Sequence, residues 1–252
     1  MTVWLCPNEA LPPPTADILA LHWLDPDEWA AGERLRREQD RRQYRTARVL
    51  VRRALALETG IPEAELVIVR SPLGRPRLRL PESVAPRGRA AFDFNLSHTE
   101  GMNALALARP GRVGVDVERV SRTATGQGSA AIAAMFSDEE CSGLRALEEG
   151  RTRDRATTRL WSLKEAYVKA RGTGIGLPFD SFAFALDETG HVVGFRPPED
   201  DVESRWRFRV FDAGPDVVAA VAVERRAPGE QAVQVHHGFP WRTYPAHRLR
   251  VG

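Results

Sequence analysis

The sequence predicts an α+β fold built from two similar halves, each with a long helix and a small antiparallel sheet. Three observations predict it. Apolar residues recur every three or four positions in two long stretches, Arg41 to Thr59 and Thr158 to Ala170. They alternate at every second residue elsewhere, as in Phe92, Phe94 and Leu96 or in Val113, Val115 and Val117. The order of helix, two short strands and hairpin then occurs twice, from Arg41 to Ala108 and from Thr158 to Val223. The halves are expected at residues 1–112 and 113–252, with a site where they meet.

The chain starts with a proline-rich segment, read as irregular because Pro12, Pro13 and Pro14 interrupt it. Asp25, Pro26 and Glu28 open a helix, with a capping aspartate, proline in the first turn and acid at the positive pole. A break is expected near Asp40. In the next helix Tyr44, Ala47, Val51, Ala54 and Leu55 form the apolar face, Arg41, Arg42, Arg45, Arg48 and Arg52 the opposite one, and Gly60 and Pro62 end it. Short strands follow at Leu66–Val69 and around Leu78, joined by Pro72-Leu73-Gly74-Arg75-Pro76. Three antiparallel strands then form a predicted meander: Phe92 to Ser97, Met102 to Ala108 and Val113 to Glu118. Ser121 to Ser129 is small and polar, a connection. Ser137 with Glu140 is a capping box for a helix that stops at Gly150. The second long helix carries a stripe of Leu160, Leu163, Tyr167 and Ala170 and stops at Gly172, Gly174 and Gly176. Strands are expected at Phe182–Leu186, Val192–Phe195, Trp206–Phe211 and Val217–Val223, and the tail from Gln231 shows no readable element.

Composition narrows the function. A chain of 252 residues is long enough to bury a real core, and a net charge of +2 with 28% charged residues leaves no basic tail for nucleic acid. Cys6 and Cys141 stand far apart with no metal-ligand or disulfide spacing, so ordinary packing is expected of both. No basic segment precedes an apolar one near the N-terminus, and the longest apolar run, Val217 to Val223, is too short to span a bilayer. A soluble, cytoplasmic protein without membrane or nucleic-acid partners is the expectation.

The chemistry concentrates in two stretches. Lys164 and Lys169 are the only lysines in a chain with 36 lysines and arginines together. A drift toward arginine that strong leaves lysine where a compact ammonium on a flexible stem does what a planar guanidinium cannot. Between them stands Glu165, flanked by Trp161 and Val168, so its carboxylate is expected in a walled cleft and not on a solvated face. In Gly114-Val115-Asp116-Val117-Glu118 the strand period sends both carboxylates to one side. Two acids so close call for a cation, and hard oxygen ligands are what Mg²⁺ selects. The neighbouring glycine would let a ligand approach the backbone. Glu165 would add a third carboxylate, Lys169 would face the same anion, and Ser97 and His98 offer a hydroxyl and an imidazole. Such a set suits phosphoryl-type transfer, in which cations stabilise charge and positioning does most of the rest.

Phe94-Asn95-Leu96-Ser97-His98, Gly114-Val115-Asp116-Val117-Glu118 and Trp161-Ser162-Leu163-Lys164-Glu165-Ala166-Tyr167-Val168-Lys169 together resemble the three ordered motifs of the 4′-phosphopantetheinyl transferases, and Gly74-Arg75-Pro76 resembles a fourth, with arginine where relatives often have lysine. Length and doubling resemble the larger, monomeric surfactin-synthetase-activating type. The resemblance implies transfer of the phosphopantetheine arm of coenzyme A, the co-substrate, to a serine of an apo acyl, peptidyl or aryl carrier protein, releasing adenosine 3′,5′-bisphosphate. It implies Mg²⁺, or Mn²⁺ in its place, on Asp116, Glu118 and Glu165, and Glu165, Lys169 and Asp116 as the catalytic set. Glu165 would be the base for the incoming serine. Coenzyme A would be bound by Arg41, Arg70, Arg75, Ser97, His98, Lys164 and Lys169. The alternatives are a Mg²⁺-dependent phosphodiesterase with water as nucleophile and an arginine-rich nucleic-acid-binding module.

Overall fold

The computed structural model describes residues 1–80, 92–120, 127–225, 232–241 and 247–249. The first half runs through β1 (Thr2–Pro7), α1 (Pro13–Trp23), α2 (Pro26–Glu33) and α3 (Glu38–Thr59), then the hairpins β2 (Val67–Arg70) with β3 (Pro76–Arg79) and β4 (Asp93–Thr99) with β5 (Met102–Ala108). The second runs through β6 (Val113–Arg119), α4 (Gln127–Ala133), α5 (Asp138–Ala146) and α6 (Arg151–Arg171), then β7 (Ala183–Leu186) with β8 (Val192–Arg196) and β9 (Trp206–Gly214) with β10 (Val217–Glu224). In each half the first strand pairs antiparallel with the last, β1 with β5 and β6 with β10. The repeated element order is therefore a repeated topology, with β1-β5-β4 answering β6-β10-β9. β11 (Val233–His237) and β12 (His247–Leu249) extend the first sheet, β11 running parallel to β1.

The elements stack as helix, sheet, sheet, helix because both sheets are apolar on two faces. Along β10 every residue is buried. Val217, Ala219, Val221 and Val223 meet Val113, Val115 and Val117 of β6 and Val3, Leu5, Ala104 and Ala106 of the other sheet. Val218, Ala220 and Ala222 turn the opposite way, against Leu163, Ala166, Tyr167 and Ala170 of α6. On the far side Trp4, Cys6, Leu105 and Leu107 pack under Val49, Leu50, Val51 and Ala54 of α3. The period of two along each strand thus supplies two cores at once. Both cysteines are free, and burial pushes the Cys6 thiol up to about 12, which makes it an inert core side chain.

Several expectations need correction. The N-terminal segment is not irregular: β1 lies inside the five-stranded sheet, and the proline run opens α1, with Pro13 at the first helical position, where a missing N–H costs nothing. The break between helices falls at residues 34–37, ahead of Asp40. The third meander strand leaves its neighbours: β6 pairs with β10, more than ninety residues away, and not with β5. Of the connection expected at Ser121 to Ser129, residues 121–126 lie outside those described, and α4 begins at Gln127. Gly150 is the N-cap of α6, which begins seven residues before the stretch from Thr158 that the sequence marked. The capping box of Ser137 and Glu140 is present, and Gly172 ends α6 in the left-handed conformation at φ 72°.

Gly114 sets how closely α6 lies on β6. A Cβ there would stand 1.9 Å from the carbonyl oxygen of Ala166 and 2.5 Å from the amide nitrogen of Ala170. What approaches this backbone is the helix, not a ligand. Gly114→Ala is expected to lower stability by about 1–3 kcal/mol or more, because the helix itself must move. Gly143→Ala in α5, where a Cβ meets nothing within 4 Å, is expected to raise it by about 0.4–1 kcal/mol. Urea midpoints of the two variants check the contrast.

Candidate active site

The period of β6 turns its valines into the core between the sheets and Gly114, Asp116 and Glu118 toward α6. Seated on Gly114, α6 holds Glu165 and Lys169, one turn apart, over Asp116. Lys169 Nζ donates to Asp116 Oδ1 at 2.6 Å and to Ser97 Oγ at 3.1 Å, and lies 3.8 Å from Glu165 Oε2. Ser97 Oγ itself donates to Asp116 Oδ1 at 2.9 Å. One ammonium therefore joins acids from two separated segments, and Asp116 beneath it is only 2% exposed. Burial raises the Glu165 carboxyl above the usual range; the Lys169 charge works against that and the Asp116 charge adds to it. For Lys169 burial pulls downward, but Asp116, and then Glu165 and Glu118, outweigh it and leave the ammonium above the ordinary lysine range.

Ser97 reaches this cluster because β4 runs beside β6 without a backbone ladder. The residues of one face of β4 make the contacts instead. Val113 N donates to Asp93 Oδ2 and Val115 N to Asn95 Oδ1, both at 2.9 Å, Ser97 bonds Asp116, and Thr99 Oγ1 donates to Glu118 Oε2 at 3.5 Å. Arg75, from the turn between β2 and β3, locks the same seam. Its Nη2 donates to Val113 O at 2.7 Å and Asp93 Oδ2 at 2.5 Å, and its Nη1 to the carbonyl of Lys169. Burial lowers its pKa, with Asp93 opposing.

A cleft of about 500 Å³ opens beside the cluster, lined by Arg75, Asn95, Glu165, Lys169, Trp161 and Phe179 among others. Trp161 meets Phe179 edge-on at 5.3 Å, so Glu165 does stand in a walled cleft. A larger groove of about 990 Å³, between α5, α6 and the β7–β8 hairpin, is lined by none of the expected catalytic, metal-binding or coenzyme-A-binding residues.

The structure brings together Asp116, Glu165, Lys169 and Ser97, with Glu118 beside them bonded to Thr99. It does not bring Lys164. That side chain is fully buried, its ammonium donating to Phe179 O and Phe182 O at 2.7 Å and paired with Glu140 Oε2 at 2.8 Å. Its expected part in binding coenzyme A is corrected to a structural one, because the ammonium points into the second half's core and has its acceptors there; burial also lowers its pKa, with Glu140 opposing. Arg75 borders the cleft but commits both terminal nitrogens to protein oxygens, so its expected phosphate contact gives way to holding the wall. His98 is exposed, and alternation sends it to the opposite face of β4 from Ser97. Arg70 is exposed and donates to Gly74 O at 2.9 Å, while Arg41 bonds Glu38, Leu35 O and Arg36 O. The bonds of the two arginines thus go to oxygens outside the cluster. Sequence reasoning missed Asp93, Asn95, Glu140 and Phe179. For Asp93 and Asn95 a signal existed, the polar row alternating with Phe94 and Leu96, but it reads equally as a solvated strand face.

The donors fit a divalent ion. Asp116 Oδ2 is buried with no hydrogen-bond partner, and hard carboxylate oxygens already gather round one cation. Among the described residues no three His, Cys, Asp or Glu side chains are placed to hold a metal, so the expected cup of Asp116, Glu118 and Glu165 is not assembled, Glu118 accepting instead from Thr99. An ion here would rest on Asp116 and Glu165 and would need phosphate oxygens and water to complete its shell. Among the described residues no helix is long and apolar enough to cross a membrane.

Two family models match, "4′-phosphopantetheinyl transferase, N-terminal" over residues 12–109 and "4′-phosphopantetheinyl transferase superfamily" over residues 112–222. The 4′-phosphopantetheinyl transferase of Bacillus subtilis is 30% identical over 176 residues, 69% of this chain and 70% of its own. The phosphopantetheinyl transferase of a Thraustochytrium is 29% identical over 217 residues, 81% of this chain and 71% of its own. A putative 4′-phosphopantetheinyl transferase of Synechocystis is 31% identical over 173 residues, and the match spans 69% of this chain and 65% of that relative's length. The solved holo-[acyl-carrier-protein] synthase of Thermotoga maritima overlaps 49% of this chain and 67% of its own at 24% identity, with a TM-score of 0.35, too slight a likeness to build on.

The buried Lys164 pair gives a test apart from activity. Lys164→Ala strands Glu140 in the core and is expected to cost about 3–5 kcal/mol of stability. Denaturant unfolding of the two proteins measures it.

Proposed function

The chain belongs to the 4′-phosphopantetheinyl transferase superfamily, and from that premise we propose that it transfers the 4′-phosphopantetheine arm of coenzyme A to a serine of an apo carrier protein. The observation that carries the reading is the single ammonium of Lys169 between Asp116, Glu165 and Ser97 at the edge of the cleft. The serine oxygen forms a bond to the β-phosphorus of the pyrophosphate. The bond to the bridging oxygen breaks, and adenosine 3′,5′-bisphosphate leaves with that oxygen. The serine proton passes to Glu165, whose carboxyl is held above the usual range chiefly by burial and is the better base for it. A divalent ion, Mg²⁺ or Mn²⁺, held by Asp116 and Glu165 with Glu118 beside them, would supply neutralisation of the pyrophosphate charge. Lys169 binds a phosphate oxygen of the leaving group, and the cleft walled by Trp161 and Phe179 keeps water from competing with the serine.

His98 and Arg70, on the side of the first half, are assigned to the nucleotide phosphates; Arg41, whose guanidinium is held by Glu38, Leu35 O and Arg36 O, would join them only by giving up those bonds. The functional halves divide at residue 112, the first half taking in the C-terminal strands β11 and β12 that join its sheet and the second ending with β10, and the molecule acts as a cytoplasmic monomer with no nucleic-acid or membrane partner. Incubation with coenzyme A, Mg²⁺ and a panel of apo carrier proteins tests this by mass spectrometry. Carrier gaining the phosphopantetheine mass is the expected result. Hydrolysed coenzyme A with unmodified carrier would make it a phosphodiesterase, and steeply salt-dependent affinity for DNA or RNA without coenzyme A binding would make it a nucleic-acid module.

Asp116→Ala and Glu165→Ala are expected to cut transfer by about 10²–10³-fold or more while the fold survives. Lys169→Arg is expected to be poor as well, because a planar fork cannot take the place of a compact ammonium between two carboxylates. Initial rates of holo-carrier formation, with circular dichroism as the folding control, check all three.

A further inference from the structure

Lys169 and a divalent ion want the same oxygens. The ammonium bonds Asp116 Oδ1 at 2.6 Å and approaches Glu165 Oε2 to 3.8 Å, and these are the two carboxylates an ion would use. The remaining oxygen of Asp116, Oδ2, is buried and unpartnered, so a metal drawn to it would arrive beside a positive charge already seated on the same carboxylate. We propose that Lys169 competes with the divalent ion for Asp116, so that metal enters strongly only when a phosphate anion draws the ammonium away.

Three features favour an exchange over simple coexistence. A divalent cation next to an ammonium in a buried site is repelled strongly, because the surroundings screen little. Lys169 sits on a flexible four-carbon stem and is itself partly exposed at the cleft, with 27% of its side chain open, so its head has somewhere to go. Ser97 Oγ, 3.1 Å from the ammonium and no ligand of the ion, lets it leave Asp116 without losing every partner. A pyrophosphate in the cleft would offer it oxygen acceptors in place of Asp116. By linkage, coenzyme A and metal then tighten one another's binding, and Lys169 carries part of that coupling.

This rests on the transferase reading for the identity of the anion but not for the competition itself. Binding of Mn²⁺ to the whole protein, followed by electron paramagnetic resonance or calorimetry without coenzyme A, tests it directly. Lys169→Met keeps the stem and removes the charge, and it is expected to bind Mn²⁺ about tenfold or more tightly than wild type. Lys169→Gln is the second variant should Met misfold. Asp116→Asn is expected to abolish the gain, which places the ion at this carboxylate. Adding coenzyme A is expected to tighten Mn²⁺ binding in wild type more than in Lys169→Met. Equal or weaker Mn²⁺ affinity in both folded Lys169 variants overturns the proposal. Wild type that fails to modify any carrier, with the competition intact, overturns the transferase reading alone.

Discussion

The helix α6 lies on β6 with no room for a Cβ at Gly114, and the chemistry of the site follows from that contact. Ala166 and Ala170 occupy one line of α6, a turn apart, and meet the glycine. Glu165 and Lys169 each precede one of them by a single position, about 100° round the helix. Asp116 lies two residues beyond Gly114 on the same face of the strand, about 7 Å along it. The glycine and the two alanines therefore fix the height at which an ammonium on α6 meets a carboxylate on β6. Any bulk inserted there lifts the helix, and a 2.6 Å contact does not survive a shift of an ångström.

A second constraint comes from the way the sheets meet. Each has an edge at the junction, β4 in one and β6 in the other, and a free edge would expose a row of unpaired backbone groups. Side chains of β4 cover it. Asp93 and Asn95 take the N–H groups of Val113 and Val115, and the same alternating row continues to Ser97 and Thr99, which meet Asp116 and Glu118. One row of short polar residues thus does structural work at one end and helps build the site at the other. Arg75 reinforces the structural end by tying the β2–β3 turn to β6 and to the backbone of Lys169 itself. The halves are joined at the level of the carboxylates, so the site's geometry depends on the seam as much as on α6.

Much of this was legible in the sequence. The doubled order of elements, the shared face of Asp116 and Glu118 and the walled position of Glu165 all follow from periodicities of two and 3.6, which are local properties. What was not legible depended on partners far along the chain. Nothing within Val113–Arg119 says that β10 and not β5 is its neighbour, because either pairing would satisfy its alternation. Pro12 to Pro14 read as an interruption, since proline opens a helix only where the next residues continue it, and the apolar residues of α1 form no clear stripe. Gly114 reads as room for a ligand because a sequence shows that a backbone must be approached closely, not by what, and it is α6 that approaches. Arg75 was expected to meet phosphate because a cation in a turn beside the site fits that role, and only the position of Asp93 and of two carbonyls shows where its donors go.

The scarcity of lysine turned out to carry two meanings. Lys164 sits where three oxygens, two carbonyls and one carboxylate, converge at 2.7–2.8 Å on a point inside the core. An ammonium has three donors on one atom and satisfies them all, whereas a guanidinium spreads its five over a plane and would leave some unmatched. The ring of Phe182, 4.3 Å from the same nitrogen, adds a face that a small cation suits. Lys169 has a comparable set of oxygens but stands partly in the open, with a stem free to swing. The same head group is thus a fixed strut in one place and a movable charge one turn and a residue further on. In both places arginine is excluded by the point-like convergence of acceptors, which is why an otherwise arginine-based chain keeps lysine at these two positions.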